Sequence, residues 1–169
     1  MAFTLRPFSP NDAAKLLALM RDTVRRVNSR EYSPEQIAAL AFGAIESGPW
    51  AERFNGRFAV GAEPDGRPIG FADLETSGHS DRFYVAADRQ RSDVGSAMLA
   101  AILAEARRLG LRRLSVAASL TAGSFFERQG FLVVTPQTVV CREVEFVNLQ
   151  MERDLKLAGV RSARLACAR

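Results

Sequence analysis

Apolar residues at Ala13, Leu16, Leu17, Met20, Val24 and Val27 recur with the spacing of an amphipathic helix that turns one face toward a core. Ser9-Pro10-Asn11-Asp12 precedes this stripe and gives a helix start, with Asn11 or Asp12 able to cap it. Phe3-Thr4-Leu5-Arg6 alternates and predicts a short strand. Tyr32-Ser33-Pro34-Glu35-Gln36 opens a second helix, with Ser33 as N-cap, Pro34 at the first helical position and Gln36 placed to return a hydrogen bond. Ser47-Gly48-Pro49 reads as its end. Arg57-Phe58-Ala59-Val60 and the run from Ile69 to Glu75 read as strands, and Pro64-Asp65-Gly66 between them makes a β-hairpin. His79 to Ala86 predicts one further strand. The clearest helix covers Val94 to Leu109, with Val94, Ala97, Met98, Ala101, Ile102, Ala106 and Leu109 on its stripe and Gly110 as its stop. Leu114 to Ala118 is a buried strand, Ala122 to Gln129 a short helix closed by Gly130, and Phe131–Thr135 and Val144–Met151 are the last strands. Residues 1–155 thus form a single domain, and 156–169 read as a C-terminal tail.

The resulting order is β-α-α-β-β-β-α-β-α-β-β. Strand, long helix and strand over residues 80–118 form a βαβ unit, which requires a parallel pair. The predicted class is α/β: a mixed, mostly antiparallel sheet with one central parallel pair, flanked by helices. Composition changes this picture little. The 169 residues are 47% hydrophobic and 25% charged, ordinary for one globular domain and unlike a disordered chain, a collagen or a disulfide scaffold. No apolar run is long enough to span a membrane, and the N-terminal stretch lacks the apolar segment of a signal peptide, so a cytoplasmic protein with reduced thiols is expected. The two cysteines, Cys141 and Cys167, and the one histidine, His79, make no metal-ligand spacing, and no metal is expected. Lys and Arg total 23 against 19 acids, a net charge of +4. That excess suits a phosphorylated ligand without calling for nucleic acid or a membrane. Oligomeric state is open, a homodimer included.

The stretch that carries chemistry runs from Phe83 to Leu99. A strand leads into the polar, basic loop Ala87-Asp88-Arg89-Gln90-Arg91-Ser92-Asp93, and the loop leads into a helix with Gly95 in its first turn. Free backbone N–H groups and the positive end of the helix dipole make such a junction an anion cradle. Gly95 permits close approach of a ligand to the backbone.

Here the chain resembles the GNAT N-acetyltransferase superfamily, whose pyrophosphate loop reads Gln/Arg-x-x-Gly-x-Gly/Ala. The corresponding residues are Gln90-Arg91-Ser92-Asp93-Val94-Gly95. Ser119 to Phe131 looks like the family's second motif, Ala-x-x-Phe-Tyr-x-x-x-Gly-Phe. Arg30 to Gln36, Gly78-His79 with Asp81, and Phe125 to Phe131 resemble a bacterial subgroup of loosely assigned GNAT acetyltransferases. The resemblance implies acetyl-CoA as cofactor and acetyl transfer to an amine of a small molecule or peptide. It implies that the backbone of Phe83, Tyr84 and Val85 pairs with the pantetheine arm. It also implies that Gln90, Arg91, Ser92, Asp93, Val94, Gly95 and Ser96 wrap the pyrophosphate, with Ser119 and Phe126 where many members carry Asn and Tyr.

Two residues depart from the pattern. Asp93 replaces the first loop Gly; it reads either as a helix-start acid or as a charge that weakens cofactor binding. Phe126 lacks the hydroxyl that in many members protonates the leaving thiolate. His79 and Asp81 share a strand face with residue 83 at period 2 and match the family's positions for a general base, so His79 is the expected proton acceptor with Asp81 assisting. A strand-edge His tied to its surroundings is the competing reading. Tyr32 and Glu75 are the expected substrate-binding residues, with Asp73 and Trp50 as secondary candidates. No Cys lies near the cofactor loop in sequence, which favours direct attack over an acyl-enzyme. A non-catalytic acyl-CoA-binding or regulatory domain is the alternative function, and a basic nucleic-acid module a third.

Overall fold

The computed structural model describes residues 2–155; the expected tail, with Cys167, lies outside the described residues. Strand β1 (Thr4–Pro7) leads through a 3-10 turn into helix α1 (Ala13–Arg26), and α2 (Pro34–Leu40) and α3 (Ser47–Glu52) follow. Strands β2 (Phe58–Glu63), β3 (Gly70–Leu74), β4 (His79–Ser80) and β5 (Phe83–Val85) precede the long helix α4 (Asp93–Arg108). Strand β6 (Arg113–Ser119), helix α5 (Leu120–Arg128) and the hairpin β7 (Leu132–Cys141) with β8 (Val144–Asp154) complete the chain.

Two four-stranded sheets form, in the orders β1-β2-β3-β5 and β4-β6-β8-β7. The expected parallel pair is β4 with β6, His79 opposite Ser115 and Ser80 opposite Val116; every other pairing is antiparallel. Helix α4 buries Val94, Met98, Leu99, Ile102, Leu103 and Ala106 against the inner faces of both sheets, among Ala72, Leu74, Leu114, Val116 and Met151. On the other side α1 packs Leu16, Leu17, Met20 and Val24 with Trp50, Phe54 and Phe71. Trp50 is 3% exposed and sits edge-on to Phe54 and Phe71, so it belongs to the core and to no acceptor pocket.

Local signals account for most boundaries. The capping box of α2 forms in full: Gln36 N donates to Ser33 Oγ at 3.2 Å, and Ser33 N to Gln36 Oε1 at 2.9 Å. Asp12 does not cap α1; its carboxylate accepts from Ser9 N and from Arg6. Ser47-Gly48-Pro49 starts a helix where an end was expected. Pro49 falls in the first turn of α3, where the missing N–H has no intrahelical partner to lose. β7 runs six residues past its predicted end at Thr135, to Cys141. It tolerates Pro136 because it is an edge strand. Its two-residue turn, Arg142-Glu143, holds both residues at positive φ, 49° and 64°, without the Asn or Gly that would mark such a turn in sequence. Leu132, Val134 and Val140 of β7 are 75%, 54% and 65% exposed.

Arg6 ties β1 to the start of α1 and to β2. Its guanidinium forks onto Asp12 at 2.7 Å and onto Glu63 at 2.8 and 2.9 Å. Hydrogen bonds from Arg6 hold both carboxyls below their ordinary values of 3.8 and 4.5. The ionised forms are favoured in the folded state, so this stabilisation is complete above about pH 4.5 and is lost as pH falls through the lowered values. With solvent screening at the half-exposed guanidinium, we expect Arg6→Met to cost about 1–2 kcal/mol at pH 7. Thermal melts of the two proteins should converge between pH 5 and pH 3; an undiminished gap at pH 3 would assign the loss to packing.

Candidate active site

A buried carboxylate breaks the strand predicted as one piece over residues 79–86. β4 lies along β6, and Gly78 O accepts Ser115 N at 2.9 Å. Gly78 adopts φ +93°, and a Cβ there would meet Arg113 O at 2.6 Å, so only glycine brings the chain this close to β6. At Asp81 and Arg82 the backbone turns away. Asp73 Oδ1 accepts both their N–H groups, at 3.0 and 2.9 Å, while Asp73 N donates to Arg82 O at 3.0 Å. Asp73 Oδ2 accepts from Arg82 Nη1 at 2.7 Å and Arg57 Nη1 at 3.2 Å, and the Asp73 side chain is fully buried. Arg82 is stacked over Phe54, 4.9 Å from the ring centre. Past this point β5 joins β3 alone, while β6 beyond Val116 has lost its β4 neighbour.

The gap is a cleft of about 630 Å³. Phe83, Tyr84 and Val85 line one wall, and Val116 to Ser119 the other. Its first half carries the predicted loop. Gln90 Nε2 donates to Val85 O at 2.6 Å and so folds the loop back on the strand. Arg91 takes φ +60°, a left-handed conformation that costs a non-glycine residue roughly 1 kcal/mol. Ser92 precedes α4, but its hydroxyl donates to Arg89 O at 2.6 Å and does not cap the helix. The first-turn N–H groups of α4 therefore have no side-chain cap, and Arg89, Arg91 and Arg128 line the cleft beside them. Phe125 presses on Gly95, where a Cβ would come within 3.1 Å of its ring. Phe83, Phe125, Phe126 and Phe131 form a chain of ring contacts along this half.

The second half lies among the end of α1, Leu40 of α2, and the β7–β8 hairpin. Asp81 stands where the strands part and supplies the one carboxylate of the cleft lining among the described residues. It pairs with Arg82 at 3.1 Å and with Arg57 at 3.6 Å, and its side chain keeps 45% of its exposure. Arg57 also pairs with Glu75 at 2.9 Å. In this cluster three carboxylates face two guanidiniums, leaving one surplus negative charge. Burial pushes the Tyr84 phenol up to about 12, so it stays protonated at neutral pH.

The cleft brings together Gln90, Arg91, Ser92, Gly95 and Ser96 of the predicted loop. Val94 turns into the core at 2% exposure, and Asp93 is exposed on the first turn of α4, outside the cleft lining. Ser119 and Phe126 line the cleft, Ser119 Oγ being taken as the cap of α5 through Ala122 N. Tyr32 lines it too, but its hydroxyl is held, donating to Val147 O at 2.8 Å and accepting from Leu120 N at 3.1 Å. The shared face expected for residues 79, 81 and 83 does not form, because the chain turns at Asp81–Arg82. His79 lies outside the cleft lining, its Nδ1 3.0 Å from Ser115 Oγ. Glu75 is likewise outside, between Arg57 and Ser77, and Asp73 is buried by the bonds that set the break. Cys141, remote from the loop in sequence, reaches the cleft with Val139, Phe146 and Asn148. No local signal marks these four, since a strand pairing more than a hundred residues from α1 places them.

The Acetyltransferase (GNAT) domain family matches residues 28–153. The chain belongs to the GNAT acetyltransferase family. It is 33% identical over 147 residues to the uncharacterised N-acetyltransferase YafP of Escherichia coli, covering 87% of this chain and 93% of that protein. A GCN5-related N-acetyltransferase structure from Rhodopseudomonas palustris superposes with a TM-score of 0.87 at 32% identity, covering 92% of this chain and 97% of the other. The PaiA N-acetyltransferase of Thermoplasma acidophilum, solved with coenzyme A, shares the fold, with a TM-score of 0.73 at 18% identity over 92% of this chain and all of that one. Among the described residues of this GNAT domain, no group of His, Cys, Asp or Glu is placed to hold a metal, and no helix is long and apolar enough to cross a membrane.

Removing Asp73 leaves buried Arg82 with only the part-exposed Asp81 as counter-charge and strips two backbone N–H groups of their acceptor. Asp73→Ala should cost about 3–5 kcal/mol in urea unfolding. Asp73→Asn, which keeps an oxygen for the two N–H groups, should cost distinctly less; equal losses would reduce the carboxylate to a charge partner with no part in shaping the turn.

Proposed function

We propose that the protein transfers the acetyl group of acetyl-CoA to the nitrogen of a small-molecule or peptide amine by direct attack. The observation that carries this reading is the polarity of one continuous cleft, with uncapped helix N–H groups and three arginines at one end and the lone carboxylate Asp81 where the strands part. The residues present fit a phosphorylated acyl carrier. Backbone donors and guanidiniums suit phosphate oxygens, and Thr121 Oγ1 is a buried hydroxyl of the lining without a protein partner. Acetyl-CoA, when bound, supplies an activated thioester whose acetyl group passes to nitrogen as the thiol is released.

The chain's own part is division of charge and exclusion of water. Arg91 and Arg128 with the start of α4 hold phosphate, and Phe83, Phe125 and Phe126 keep the adjoining half dry. The open backbone edges of β5 and β6 receive an extended arm between them. Asp81 draws in the ammonium form of the acceptor and takes its proton, directly or through one water, so that the nitrogen lone pair is free to attack. Asp81 stands before His79 in this role because it lines the cleft while His79 faces Ser115. Asp93 stands exposed on the first turn of α4, outside the lining, and the phosphate end of this reading rests on the arginines and the backbone N–H groups.

Calorimetry tests the phosphate end. Acetyl-CoA should bind at least tenfold tighter than S-acetylpantetheine, which lacks the nucleotide phosphates, and Arg91→Ala should narrow that difference; equal affinities would remove the cradle. Steady-state turnover tests the other end. Asp81→Asn should lower kcat by roughly 10²-fold or more, with acetyl-CoA affinity nearly unchanged, whereas His79→Ala should keep turnover within a few-fold. The reverse pattern would return the proton to His79.

A further inference from the structure

The second half of the cleft narrows the class of amine. Its apolar walls are Val24 and Val27 of α1, Leu40 of α2, Val139 of β7 and Phe146 of β8. Val24, Val27 and Phe146 are 2%, 6% and 3% exposed. The polar groups nearby are largely engaged. The Tyr32 hydroxyl is bonded on both sides. Arg142 donates to Ala39 O at 2.8 Å and to Cys141 Sγ at 3.3 Å while lying over the Phe42 ring.

Besides Thr121 Oγ1, two buried polar atoms of the lining are exceptions, Ser80 Oγ next to Asp81 and Asn148 Oδ1. Neither has a hydrogen-bond partner in the protein. A buried acceptor without a donor is costly, and a ligand N–H relieves it. Negative charge is also scarce, because the cluster around Asp81 carries a single surplus. A second ammonium on the acceptor would meet apolar wall or the exposed rim residue Arg30, and both oppose it. A hydroxyl-rich body would give up bonds to water for contacts with Val27, Leu40, Val139 and Phe146 that return none.

Resting on the acetyl-transfer reading above, we infer that the acceptor is a primary amine with one positive charge and an apolar body. Asp81 fixes its ammonium, Asn148 Oδ1 accepts one of its N–H groups, and the body lies among Val27, Leu40, Val139 and Phe146.

The test titrates three amines into the protein saturated with CoA: 2-phenylethylamine (one charge, apolar body), spermidine (several charges) and glucosamine (polar body). Calorimetry should give 2-phenylethylamine at least a tenfold tighter Kd than either comparator. Val139→Gln alters a half-buried edge-strand position outside the main core and should reduce that preference at least threefold with acetyl-CoA affinity unchanged. Comparable, weaker or absent binding of 2-phenylethylamine overturns the inference, as does full retention of the preference in Val139→Gln. Acetyl-CoA titrated alone reports separately on the transfer reading. Tight acetyl-CoA binding without the amine preference sinks only the substrate class, and failure of acetyl-CoA to bind sinks the transfer reading itself.

Discussion

The architecture turns on one carboxylate. Asp73, fully buried in β3, binds two consecutive backbone N–H groups and two guanidiniums. Those four bonds fix where the chain stops running beside β6 and starts running beside β3. A carboxylate is suited to this because it accepts several hydrogen bonds at once, and its charge, costly alone in a core, is met by Arg82 and Arg57. The same ion cluster carries one surplus negative charge, and Asp81 is its member in the cleft lining. The bonds that shape the cleft thus also set the sign of its potential at that point.

Charge along the cleft is segregated accordingly. Arg89, Arg91, Arg128 and the uncapped start of α4 lie at one end and Asp81 at the point of divergence, so a ligand with an anionic tail and a partner with a cationic head are drawn in opposite senses along one channel, with Arg30 on the rim of the acceptor half. Phe83, Phe125 and Phe126 line the phosphate half without competing for hydrogen bonds, and Phe131 backs them from the core. Phe126, which lacks a hydroxyl where many relatives carry one, is at 3% exposure a packing residue among them. Its ring leaves proton delivery to the released thiol to other groups.

Much of this was legible in the residues. Period and caps located α1, α2 and α4, because each depends on neighbours within a few positions, as in the Ser33–Gln36 box and the stripe from Val94 to Ala106; the parallel pair followed from the strand–helix–strand order, which obliges a crossover connection. The loop from Gln90 to Ser96 was legible for the same reason. What sequence spacing missed is set by distant contacts. His79 and Asp81 share a face only on an unbroken strand, and the break depends on Asp73, several residues back on a neighbouring strand. Trp50 and Asp73 looked like pocket residues because composition does not distinguish a buried aromatic or acid from an exposed one. Cys141 and Asn148 reach the cleft only through the β7–β8 hairpin, whose Arg142-Glu143 turn has no sequence signature.

β7 has a separate consequence, for behaviour in concentrated solution. From Leu132 to Cys141 it is ten residues long, uncharged, rich in exposed valine, and at the edge of its sheet. Such an edge is a template on which a second extended chain adds. Two features interrupt it: the irregular register between Val133 and Thr135, and Pro136, which has no N–H to offer. Between them they cut the edge into a short N-terminal stub and the segment from Gln137 to Cys141, neither long enough to propagate a continuous ladder. The proline is tolerated by the fold because the strand is at the border, and it guards that border against uncontrolled self-association.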